Sequence, residues 1–99
     1  MKAIRIERSG VSEINVENTL EALQAQVNGY IETVPLIPRL AVMIVNEEGR
    51  LHQMPPNILA SAIAGVKIMG PAIVVGVDSD KFTDVPAEVA RHIMARFGG

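Results

Sequence analysis

The stretch GYIETVPLIPRLAVMIVNEEGRLHQMPPNILASAIAGVKIMGPAIVVG, residues 29–76, decides the fold. Leu40 to Val45 and Ala72 to Val77 are apolar at successive positions, the pattern of central strands covered on both faces. Tyr30 to Leu36 is β-branched and aromatic enough for a strand. Pro35 and Pro38 lack the N–H that a ladder needs, so they place it at a sheet edge or a bend. Asn46-Glu47-Glu48-Gly49 fits a four-residue hairpin with Gly49 at positive φ, which predicts a returning strand over Arg50 to Met54. Pro55-Pro56 stops that strand, Asn57 caps a short helix over Ile58 to Ala64, and Gly65 closes it.

Upstream, Lys2 to Glu7 alternates with the period of a half-buried strand, Ser9-Gly10 turns the chain, and Ile14 and Val16 mark a short second strand. Asn18, with Glu21 three residues on, predicts the N-cap of a helix carrying Leu20, Leu23 and Val27 on one face, and Gly29 is placed to end it in the left-handed conformation. Downstream, a capping oxygen and a first-turn proline coincide at Thr83 to Pro86. They open a helix to Phe97 whose Val85, Val89, Ile93 and Phe97 recur every four residues, joined by Met94. These elements predict one α+β domain over residues 1–99: a single-layer mixed or antiparallel sheet of about five strands with two or three helices packed on one face. Two strands apolar on both sides then predict a homodimer or larger oligomer that covers the second face.

Ninety-nine residues suit one domain, and an apolar content of 48% against 20% charged residues makes it an ordered one. The core is aliphatic, because Tyr30, Phe82 and Phe97 are the only aromatics. A formal net charge of −2 argues against nonspecific nucleic-acid binding, which needs a basic surface. Without cysteine there is no disulfide, zinc-thiolate site or thiol nucleophile. The N-terminal residues lack an apolar signal core, and no run approaches membrane-spanning length, which together predict a soluble cytoplasmic protein without a membrane partner.

Catalytic and metal motifs fail on spacing. Gly65 to Gly70 has the outer spacing of a phosphate loop, but Gly70-Pro71-Ala72 stands where Gly-Lys-Ser/Thr is required, so it reads as a helix cap and turn. Asp78, Asp80 and Asp84 suggest calcium, yet Phe82 and Val89 occupy ligand positions of the loop. Glu47 and Glu48 are neighbours on a turn, where side chains diverge rather than converge on one bond. His52 and His92 have no partner at ligand spacing, which predicts no metal, and Ser61 in Ala-Ser-Ala lacks the glycines of a nucleophile elbow. A non-enzymatic protein without a cofactor is expected.

Polar residues at strand ends and turns remain: Tyr30, Glu32, Arg39, Asn46, Arg50, His52 and Asn57. Tyr30 offers a ring for stacking, Arg39 and Arg50 offer forks that suit phosphate, and Asn57 sits at a helix start. Together they predict a site for an anionic nucleotide-type ligand. The competing reading assigns Asn57 to capping, Asn46 to its turn and Tyr30 to packing.

The set YIETVPL at 30–36, VNEEGRL at 45–51, PPN at 55–57, IMGPAIVVG at 68–76 and FTDVP at 82–86 resembles the family known as domain of unknown function 3846. The similarity runs from Lys2 to about Phe97, and the motifs are specific as a set rather than singly. The resemblance implies a small protein of bacteriophages and mobile elements, a setting in which accessory and counter-defence factors act by binding. Sequestration of a nucleotide signal in the host cytoplasm is therefore the expected function. The alternative is an interaction module that inhibits a host protein through the hairpin 40–54 and its charged tip.

Overall fold

A computed structural model describes residues 1–98. Its elements run β1 (Lys2–Glu7), β2 (Gly10–Asn15), α1 (Leu20–Val27), β3 (Ile31–Ile37), β4 (Ala41–Asn46), α2 (Ile58–Ala64), β5 (Ala72–Asp78), β6 (Lys81–Thr83) and α3 (Ala87–Phe97). The expected α+β class and antiparallel sheet are what forms: the strand order is β2-β1-β5-β4-β3, with β6 also paired to β5. The two doubly apolar segments become β4 and β5, which are neighbours in the middle of the sheet. Edge position for β3 fits the proline within it, which has no N–H to offer a further strand, and the ladder to β4 shifts register between Pro35 and Ile37.

The helices are divided between the faces rather than gathered on one. Strand alternation sends Ile4, Ile6, Met43, Val45, Ala72 and Val74 to one side, where Ala60 of α2 and Ile93 of α3 complete a core. Ala3, Ile44, Ile73 and Val75 point the other way and meet Leu23 and Val27 of α1. Among the described residues both faces of β4 and β5 are thus covered within one subunit, so these two strands leave no bare face to drive the expected self-association. Burial on two sides explains the continuous apolar runs without a second copy.

Several local expectations shift by a residue or more. Thr19 caps α1, its Oγ1 accepting from Ala22 N at 3.2 Å, while Asn18 Nδ2 donates to the Phe82 carbonyl. Leu20 is exposed, leaving Leu23 and Val27 as the buried residues of α1. Asn28, not Gly29, takes the left-handed conformation that ends this helix, with φ 63°. Gly29 is needed for space: a Cβ there would lie 2.7 Å from Asn46 Nδ2. In α2 the expected caps hold, with Asn57 Oδ1 accepting from Ala60 N at 3.0 Å and Gly65 at φ 74°. Pro86 occupies the N-cap of α3 and has no side-chain acceptor to cap it, while the carboxylate of Asp84, two residues earlier, accepts from Lys2 N at 2.8 Å.

The returning strand over Arg50 to Met54 does not form. Both edges of β4 are already taken by β3 and β5, so a third ladder has nowhere to pair. Residues 47–54 instead wind through successive turns, with His52 N donating to Glu48 O, Gln53 N to Arg50 O and Met54 N to Gly49 O at 3.0–3.1 Å. A strand that the sequence did not announce, β6, pairs Lys81 to Thr83 with Gly76 to Asp78 and continues along β5 beyond the end of β1.

Candidate functional site

The turns that replace the hairpin build one wall of a cleft of about 390 Å³. Glu32 and Val34 of β3 line it on the α2/α3 side of the sheet, with Val45 beside Glu32 in the ladder. Glu47 and Arg50 rise from the turn after β4, and Val66, Lys67 and Met69 face them from the loop between α2 and β5. Of the seven residues expected from sequence, Glu32, Asn46 and Arg50 come together here.

Asn46 is buried and its side chain is fully engaged. Nδ2 donates to the Val27 carbonyl at 2.9 Å, and Oδ1 accepts from Glu48 N at 2.7 Å. An unpaired buried amide is costly, so Asn46 shapes the mouth of the cleft by holding α1 and the turn to the end of β4. Glu47 is fixed by its own N–H, which donates to the Tyr30 carbonyl at 2.9 Å. Gly49 is buried against the opposite loop: a Cβ would stand 2.7 Å from the Met69 carbonyl oxygen. That close approach explains the glycine, and positive φ does not, since Gly49 is absent from the left-handed glycines Gly10, Gly65 and Gly70.

The opposite wall hangs on Asn57 and Ser61. Asn57 Nδ2 donates to the carbonyls of Ile6 and Gly70, both at 2.9 Å, while Oδ1 caps α2. Ser61 Oγ donates to the Asn57 carbonyl at 2.7 Å and accepts from Ile68 N at 2.8 Å. Asn57 N donates to Ile68 O, and Gly70 N to Pro55 O, each at 2.9 Å. Asn57 thus has no donor left for a ligand, and Ser61 positions the loop bearing Lys67.

The remaining expected residues lie elsewhere. Tyr30 is exposed outside the cleft. Arg39 occupies the turn at the far end of β3, five residues beyond Val34 and outside the cleft lining, where φ 63° places it in the left-handed region. His52 is exposed, its Nε2 3.6 Å from Glu48 Oε1 within the turn. Lys67 was the residue that sequence reasoning missed; its signal was a place in the short loop bounded by Gly65 and Gly70. Glu47, read as a solvated turn residue, also faces the cleft.

The cleft carries two carboxylates, Glu32 and Glu47, and two cations, Arg50 and Lys67. None of the four is in an ion pair among the described residues, where the pairs are Arg5 with Glu7 and Glu48 with His52. All four are exposed residues whose side chains are in contact with water. Asp78 and Asp80 stand on the exposed hairpin between β5 and β6, and no group of three or more His, Cys, Asp or Glu among the described residues is arranged to hold a metal. No described helix is long and apolar enough to cross a membrane. The arrangement suits reversible polar binding beside the apolar lining residues Val34, Val45 and Met69.

The model of a family described as Domain of unknown function (DUF3846) matches residues 1–98. No curated protein and no solved structure matches the chain.

Proposed function

Because the chain belongs to the DUF3846 family, a membership that carries no assigned activity, we propose its function from the cleft: it is a non-enzymatic small-ligand-binding protein. The ligand is an anionic nucleotide-type signal, which the protein sequesters in the cytoplasm of a bacterial host as a phage or mobile-element accessory factor. One observation carries this reading. Three separate segments bring Glu32, Glu47, Arg50 and Lys67 to one cleft, and none of the four is in an ion pair among the described residues. Arg50 and Lys67 suit phosphate, and the carboxylates suit donors on a sugar or base. The counter-defence role rests on the setting that the family resemblance implies.

Thermal-shift measurements on the whole chain against linear and cyclic nucleotides test it. A ligand present at about a hundred times its Kd adds about 2.7 kcal/mol of stability, which in a domain of this size raises Tm by on the order of 10 °C. No shift with any nucleotide at millimolar concentration overturns the proposal.

A second reading, inhibition of a host protein, draws on the exposed turn after β4, where Leu51 is 73% exposed beside Arg50 and His52. A stoichiometric partner recovered from host lysate, and lost when Glu47, Glu48 and Arg50 are replaced, would favour it over the first.

A further inference from the structure

We infer that the ligand of this cleft carries one phosphate-type group together with several hydrogen-bond donors, as mononucleotides and cyclic nucleotides do, and that di- and triphosphates are discriminated against. The inference rests on the small-ligand reading above and specifies its chemistry. Arg50 and Lys67 supply two positive charges, and Glu32 and Glu47 return two negative ones, so the lining has no formal net charge. One phosphate can be matched by the two cations. Each further phosphate adds repulsion from both carboxylates, which offsets what the cations add.

Hydrogen bonding points the same way. An ionised carboxylate only accepts, and a phosphate oxygen also only accepts. A ligand that fills the cleft removes water from Glu32 and Glu47, and a carboxylate left without a donor there is strongly unfavourable. Glu32 is held on β3 opposite Val45, and Glu47 is anchored through its N–H to the Tyr30 carbonyl, so neither backbone position withdraws easily from an incoming ligand. A sugar diol, a ring N–H or an exocyclic amine satisfies them, whereas extra phosphates do not. The half-buried apolar side chains of Val34 and Met69 offer a surface for a flat base.

Isothermal titration of the whole chain with adenosine and guanosine monophosphates, the 3′,5′-cyclic forms, and the di- and triphosphates, each with and without Mg²⁺, decides it. The expected result is binding of a mono- or cyclic nucleotide, with the corresponding triphosphate weaker by about tenfold. Glu32→Gln and Glu47→Gln, both at exposed positions, are expected to narrow that gap by removing the repulsion. Tighter binding of the triphosphate to the unaltered chain, in either ionic condition, overturns this inference and leaves the small-ligand reading standing. Failure of every nucleotide to bind overturns both.

Discussion

Asn57 donates from Nδ2 to the carbonyl oxygen of Ile6 at 2.9 Å, tying the start of α2 to β1 across the core. The same side chain reaches the Gly70 carbonyl and caps α2, so one amide serves three backbone groups. Asn57→Ala leaves two carbonyls without their donor and a helix without its cap. The expected loss is about 3 kcal/mol, summing a cap of about 1 kcal/mol with the penalty for buried unpaired groups. Urea unfolding with an unchanged m-value checks it. Asn57→Asp keeps the cap but removes both donations, so it is also expected to be destabilised.

Gly29 and Asn46 are expected to be energetically coupled. In Gly29→Ala the new Cβ displaces Asn46 Nδ2 from the Val27 carbonyl, costing about 1–3 kcal/mol. In an Asn46→Ala background the same replacement meets no amide and costs less. A double-mutant cycle measures the difference; strictly additive losses would contradict the contact.

Cleft residues separate from the other sequence candidates in binding assays. Arg50→Ala and Lys67→Ala are expected to weaken a bound mononucleotide by about tenfold each, with little change in Tm because both residues are exposed. Tyr30→Ala and Arg39→Ala lie outside the cleft and are expected to leave affinity unchanged. Loss of binding in Arg39→Ala would place the ligand elsewhere.

Each sheet face depends on its own helix. Leu23→Ala on the α1 side and Ile93→Ala on the α3 side each open a buried core and are expected to cost about 2–5 kcal/mol. The two lie in separate clusters, so their effects should add when combined in denaturant titrations.

Coverage of both faces also sets the expected mass in solution. With no bare strand face requiring a second copy, light scattering at tens of micromolar is expected to report the monomer, 10.6 kDa. A dimer would have to use another surface, such as the apolar groove where Ile37 and Leu40 face Val89.

The local chemistry of this chain was legible from residue order alone. Runs apolar at every position made β4 and β5 central strands, Pro35 and Pro38 sent β3 to an edge, Asn57 and Gly65 bounded α2, and the four-residue stripe marked α3. These features depend on backbone sterics and on which neighbours a side chain prefers, and both are set within a few residues. Tertiary structure alone decided where α1 lies, that Arg50 to Met54 has no strand to join, and that Lys67 faces Glu47 across a cleft. Each is a competition between distant segments for the same sheet edge, sheet face or buried hydrogen bond. Its outcome depends on what the rest of the chain has already occupied, which no local pattern records.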